Sequence, residues 1–147
     1  MTHDSRQRIV WPLLGFALCA IAGCGAAPSS VPRESAKASL QQGRAALANG
    51  DFAEADIALL SAIDSRGLQA DDLCEALTLR SRALAQLDRF DESHALLDQA
   101  AEGAADLAAI HATRAEVFRK QGKAADADRA FADAKKLNPQ IRSTGKQ

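Results

Sequence analysis

A stack of three helical hairpins without β-strands is the fold class this sequence predicts, and three observations carry the prediction. Apolar and small residues recur at helical spacing beyond Ala36, while no alternating run of any strength marks a strand. One layout of helix, break and helix occurs three times. In Gly43–Ala62, GRAALANGDFAEADIALLSA, a helical period runs to Ala48, Asn49-Gly50 interrupts it, and a second helical pattern starts at Phe52. Ser81-Arg82-Ala83-Leu84 leads through Asp88-Arg89 to Phe90, Leu97 and Ala100, and Ala115-Glu116-Val117-Phe118 leads through Gly122-Lys123 to Ala124, Phe131 and Ala134. The second helices open at Phe52, Phe90 and Ala124, 38 and 34 residues apart, a period that indicates a helical repeat array. The third observation is composition: aromatics make up 4%, there is no Tyr, and Ala and Leu dominate, as close-packed helices require.

The helices fall at about 34–48, 52–65, 71–87, 90–102, 105–120 and 124–137. Asp51 is placed to cap the second, with Glu54 completing a capping box. Asp71 and Asp72 begin the third, where carboxylates suit the positive end of the helix dipole. Gly67 and Gly103 end helices, and Asn138-Pro139 stops the last.

Over Ala36 to Pro139 this pattern resembles the tetratricopeptide repeat (TPR). The family's small residue midway along the first helix is matched by Gly43, Ser81 and Ala115. Its turn glycine is matched by Gly50 and Gly122, with Asp88 departing, and its aromatic at the start of the second helix by Phe52 and Phe90, with Ala124 departing. A small, large, small series follows: Ala55, Leu59, Ala62; Ser93, Leu97, Ala100; Ala127, Phe131, Ala134. The large apolar residue expected before the small crossing residue is instead Gln42, Arg80 or Arg114. The resemblance implies a right-handed superhelical stack of three hairpins, at about 36–69, 74–107 and 108–139. It also implies a concave groove, lined by the first helices, that receives a peptide or helix of another protein.

Ahead of the repeats, Arg6 and Arg8 precede an apolar run, Ile9–Ile21, too short to span a membrane and broken by Pro12. It ends in Ile21-Ala22-Gly23-Cys24, which resembles a bacterial lipobox. That resemblance implies removal of residues 1–23 as a signal peptide, lipidation of Cys24 and attachment to a membrane, since multiple acyl chains are what stable anchoring needs. Gly25 in place of Asp makes the outer membrane, facing the periplasm, the expected address. Residues 24–35 are read as the lipidated Cys with a Pro/Ser/Ala-rich linker, and 140–147 as a short tail.

Processing leaves 16 basic and 18 acidic residues, a net charge of −2, with no basic aromatic-studded surface for nucleic acid. Cys74 would be the one remaining free thiol, read as a partly buried packing residue. His94 and His111 lie on different hairpins without ligands at helical spacing, so no metal site is expected. No phosphate loop, GxSxG or thiol–His pairing is present, so neither catalytic residues nor a cofactor is expected. Acidic pairs sit at helix starts, where capping explains them.

The family resemblance places Lys37, Gln41 and Arg44, with Leu40 and Leu47, on the groove side of the first repeat. The second contributes Glu75, Thr78, Arg82 and Gln86, and the third Glu116, Arg119 and Lys120, with Ala112 and Thr113. Basic residues outnumber acidic ones in this set, so an acidic or C-terminal carboxylate-bearing segment is the expected ligand. Because Arg44 stands where the chaperone-binding carboxylate clamps have Asn, that clamp is not reproduced. With only eight residues after Pro139, an apolar edge near Phe118, Phe131, Leu137 and Ile141 is also expected, open to a homodimer or a docked protein.

Overall fold

The computed structural model describes residues 31–142. Among them the regular structure is six α-helices: α1 Val31–Asn49, α2 Phe52–Asp64, α3 Ala70–Gln86, α4 Phe90–Gly103, α5 Leu107–Lys120 and α6 Ala124–Leu137. Consecutive helices pair as hairpins, α3 packs on both α1 and α2, and α5 packs on both α3 and α4. Among the described residues the backbones of α2, α4 and α6 do not approach one another closely, whereas those of α1, α3 and α5 do. Contact within the α1, α3, α5 row and separation in the other bends the stack, with the α1, α3, α5 face on the inside.

The three hairpin turns are built alike. Gly50, Asp88 and Gly122 adopt left-handed φ values of 83°, 59° and 76°. After each, the next backbone N–H reaches back five residues: Asp51 to Ala46, Arg89 to Leu84 and Lys123 to Phe118, all at 2.9 Å. The left-handed residue itself bonds three residues back, to Leu47, Ala85 and Arg119. These two bonds are the Schellman termination, which satisfies carbonyls at the helix end. Asp51, Arg89 and Lys123 then serve as N-caps through their own carbonyls, which accept from Ala55, Ser93 and Ala127. The capping box expected at Asp51 and Glu54 does not form. No side-chain cap bond comes from Asp51, and Glu54 instead accepts from Gln42 at 2.7 Å. The backbone arriving from the Schellman turn already sets the start of α2.

Helix boundaries depart from the sequence reading where tertiary contacts set them. Helix α1 begins at Val31, so the last five residues assigned to the linker are helical. Pro32 lies in the first turn, where a missing N–H costs nothing, and Glu34 favours the positive end of the dipole. A Cβ at Gly67 would collide with the Pro32 carbonyl, so Gly67 is a point of close approach between α1 and the α2–α3 loop. Helix α2 stops at Asp64, just short of its expected end, and Arg66 turns the chain at φ 52°. Helix α5 starts at Leu107 because Asp106 caps it, accepting from Ala109 N–H at 3.0 Å. The longer spacing between the first two hairpins is absorbed by α3, 17 residues against 14 in α5, and by the longer loop before it.

The small residues close the hairpins. Gly43, Ser81, Ala115, Ala55, Ser93, Ala127, Ala62, Ala100 and Ala134 are all buried, as are Leu59 and Leu97. A methyl added at Gly43 would lie 2.5 Å from Leu59 Cγ, which explains a glycine within a helix. In the second hairpin the crossing is polar but satisfied: Ser81 and Ser93 Oγ atoms are 2.8 Å apart, and Ser93 Oγ also donates to the Ser81 carbonyl at 2.9 Å.

Gln42, Arg80 and Arg114, which stand where a large apolar residue was expected, reach acceptors on neighbouring second helices. Arg80 Nε donates to Asp56 at 2.6 Å, and Arg114 Nη2 to Asp98 at 2.6 Å, each crossing to the preceding repeat. Arg89 Nη1 donates to the other Asp56 oxygen at 2.7 Å, while Nε and Nη2 of the same guanidinium hold Glu92 with two bonds. Chiefly through that hydrogen bonding, Glu92 is pulled below the ordinary carboxylate range and Arg89 is raised.

The apolar C-terminal edge is smaller than expected. Leu137 is 55% exposed, whereas Phe118, Phe131 and Ile141 are half-buried. Phe118 stacks at a tilt on His94, 4.5 Å between ring centroids, and Lys135 Nζ lies 5.0 Å over the Phe131 ring. The outward positions of α6 (Asp128, Arg129, Ala132, Lys135 and Lys136) are small or charged, so α6 is already solvated on the side a further helix would cover.

Candidate functional site

The inner face is walled by α1, α3 and α5, and ion pairs tie these helices across it. Arg44 of α1 grips Glu75 of α3 with two bonds, the first from Nε to Oε1 at 2.8 Å. Arg82 of α3 approaches Glu116 of α5 at 3.2 Å, and Lys120 stands 3.9 Å from Asp88 at the α3–α4 turn. Among the described residues no carboxylate pairs with Arg119. Arg44, Arg82 and Glu116 each directly follow a crossing residue, so the third repeat reverses the charge at a register that is basic in the first two. The groove is therefore less free a cationic surface than the expected residue set suggests. Two of its five basic residues are paired with groove carboxylates.

Three depressions follow. The first, of about 430 Å³, lies between the C-terminal halves of α3 and α5 and is lined by Arg82, Gln86, Glu116, Arg119 and Lys120, over Ala85 and Val117. The second, of about 290 Å³, lies between the N-terminal halves of the same helices. It is mostly apolar, with Cys74, Thr78, Leu79, Ala105, Ala109 and Ile110 in its wall beside Glu75. The third, of about 300 Å³, joins Leu47 and Phe52 to Leu79, Arg82 and Gln86. Thr78 Oγ1 donates to the Cys74 carbonyl at 2.8 Å.

Of the residues expected in the groove, Arg82, Gln86, Glu116, Arg119 and Lys120 are brought together in one cleft, and Glu75 and Thr78 in another. Arg44 is half-buried in its pair with Glu75. Lys37 and Gln41 are exposed on α1 and line none of the three clefts. Leu40, Ala112 and Thr113 are corrections: all are buried, Leu40 in the core with Leu59 and Ala62, and Thr113 bonded to the Ala109 carbonyl. A helix face one residue wider than the groove sweeps them inward. Sequence reasoning missed Leu79, Ala105, Ala109 and Ile110. Their signal is Ala105 and Ala109, four apart in the α5 region, where methyl-sized side chains leave the gap that Leu79 and Ile110 line.

Cys74 is half-buried, its Sγ 3.7 Å from the Ala100 carbonyl and at ordinary contact distance from where a Cβ on Gly103 would stand. Cys24 lies outside the described residues, as does the apolar segment ahead of it. No helix among the described residues is long and apolar enough to cross a membrane.

Six helices in three hairpins, a repeated Schellman turn and small residues at every crossing define a TPR-like helical-repeat fold. Among solved structures, the TPR domain of Arabidopsis OM64 matches it with a TM-score of 0.65 at 19% identity, over 76% of this chain and 89% of that one. At that identity the likeness is one of fold. No protein-family model matches the chain, and no curated protein does.

Proposed function

We propose that this chain is a lipid-tethered protein-binding module of a bacterial cell envelope, an adaptor or assembly factor anchored through Cys24 and facing the periplasm, with the α3–α5 groove as its contact surface. The observation that carries the reading is the cleft in which Arg82, Gln86, Arg119 and Lys120 converge on the inner face. Three cations against one lining carboxylate favour an acidic segment of a partner.

A tether at Cys24 would enter the fold at the start of α1. The start of α1 packs against the α2–α3 loop, so a chain entering there from Cys24 would hold this edge of the stack, where α3 and α5 also begin, towards the membrane. Only six residues separate Cys24 from Val31, seven steps along the chain and a reach of at most about 25 Å. The cationic cleft lies at the opposite ends of α3 and α5, on the order of 20 Å further along the helices. Anionic headgroups would then lie beside the apolar cleft, leaving the cationic one open to protein.

Two measurements test this. Mass spectrometry of the mature protein should find an acylated Cys24 at the N-terminus, and Cys24→Ser should leave the membrane fraction; an unmodified, uncleaved N-terminus overturns the anchor. Crosslinking in intact cells should capture a partner that Arg119→Glu with Lys120→Glu loses. These two exposed positions are preferable to Arg44 and Arg82, whose reversal would break ion pairs between helices, whereas Lys120 has only a 3.9 Å approach to the exposed Asp88. Capture that persists in the double variant moves the contact surface off this cleft.

A further inference from the structure

We propose that Glu116 is a resident carboxylate of the cationic cleft, holding Arg82 until an acidic segment of a partner protein displaces it. The inference rests on the protein-binding reading of the groove and names the residue that sets its affinity. Glu116 is the one acidic side chain lining a cleft that also holds Arg82, Arg119 and Lys120. Its register is the one that carries Arg44 and Arg82 in the other repeats, so the third repeat places a negative charge where the array otherwise places a positive one.

The two inter-helix pairs of the inner face differ in kind. Arg44 and Glu75 meet through two bonds, a fork that is costly to open. Arg82 and Glu116 meet at 3.2 Å through Nε. The Glu116 side chain keeps 20% of its surface exposed and Arg82 keeps 42%. Both can therefore be rehydrated or re-paired without stranding a charge in the interior; Arg44 and Glu75 are also open, at 37% and 41%, so what sets the Arg82 pair apart is its single contact against their two bonds. An incoming carboxylate gains Arg119, Lys120 and Arg82, but meets the repulsion of Glu116 and must take its place. Removing that charge ends both costs. For charges about 6 Å apart at a partly screened surface, this corresponds to an affinity gain on the order of tenfold.

The test uses the full chain and a fluorescein-labelled peptide of alternating alanine and glutamate, about eight residues long and on the order of 26 Å when extended, followed by fluorescence anisotropy. The same peptide with glutamine for glutamate is the uncharged control. Glu116→Gln should bind the acidic peptide about tenfold more tightly than wild type. Asp128→Asn, which removes one negative charge from the exposed face of α6, should bind as wild type does. Glu116→Ala, keeping a helix-favouring residue without the charge, should reproduce the gain and guards against a folding defect peculiar to glutamine. Equal or weaker binding by variants whose circular dichroism and melting match wild type overturns the inference alone and leaves Glu116 a brace between α3 and α5. Absence of acidic-peptide binding in wild type and variants alike overturns the acidic-segment reading together with it.

Discussion

Replacing Gly43 by alanine sets helix propensity against packing in a single methyl group. In an exposed helix the change would stabilise by about 1 kcal/mol, because alanine loses less backbone entropy. Here the new Cβ would stand 2.5 Å from Leu59 Cγ and 2.7 Å from Leu59 Cδ2. Cγ is a branch point, so it cannot swing aside without moving both methyls, and Leu59 is fully buried. Overpacking of this kind costs about 1–3 kcal/mol, and the lack of free space puts it at the upper end. The net expectation is a loss of about 1–2 kcal/mol, a fall in Tm of the order of 5–10 °C. Leu59→Ala alone should cost about 2–5 kcal/mol through the cavity it leaves. In the double variant the methyl introduced at position 43 enters that cavity, so Gly43→Ala should become neutral or stabilising, with a coupling of about 2 kcal/mol. Urea unfolding of the four proteins, followed by circular dichroism, measures the cycle. A Gly43→Ala protein at least as stable as wild type, or strictly additive effects, would refute the close crossing of α1 and α2.

Asp56→Ala should cost about 3 kcal/mol in the same assay, because it leaves Arg80, with 15% of its side chain exposed, without its carboxylate; the Arg89 arm, 42% exposed, should contribute little of this. Ser93→Ala should cost about 1 kcal/mol, while Ser81→Ala with Ser93→Ala should cost less than the sum of the singles, since the double variant leaves no hydroxyl unpaired; an additive result would count against the buried pair. NMR titration should place the Glu92 carboxyl below the ordinary glutamate value of 4.5, and Arg89→Gln should return it there. Because folding lowers this pKa, the associated stabilisation is present above the unfolded value and is lost as pH falls through the folded one. An unshifted Glu92 would mean that the Arg89 fork does not persist in solution.

The fold was legible because its determinants are local and repeated. Gly43 and Leu59 show why: a residue without a side chain, facing a large one sixteen positions on, is a crossing written into the chain. The left-handed turn was equally readable at Gly50 and Gly122, and less so at Asp88, a residue that tolerates positive φ through its short polar side chain. Boundaries set by tertiary contact were not readable. Gly67 looks like a helix stop, and only the Pro32 carbonyl above it shows that it admits the first turn of α1. That Arg82, Gln86, Glu116, Arg119 and Lys120 share one face was legible, but their partnerships were not. Which arginine meets which glutamate depends on the rotation of one repeat against the next, and no residue spacing along the chain encodes that rotation. Gln42, Arg80 and Arg114 make the same point, since they read as departures from an apolar position until their acceptors on adjacent helices are in place.

Helix α3 connects these observations. It gives Ala76 and Ala83 to the core shared with the first hairpin, and Leu77 and Ala85 to the core shared with the third. Between these faces it carries Arg80 outward to Asp56 and Arg82 inward to Glu116. Each hairpin alone would leave one apolar face in water, so the stack coheres only through such inter-repeat contacts. The two arginines divide the work by burial. Arg80, enclosed, fixes how the second repeat sits on the first, whereas Arg82, open to solvent on the groove side, can change partners without loosening either core. A binding surface placed at Arg82 would therefore draw on an inter-repeat ion pair, made through a single contact, that the array can give up and still remain stacked.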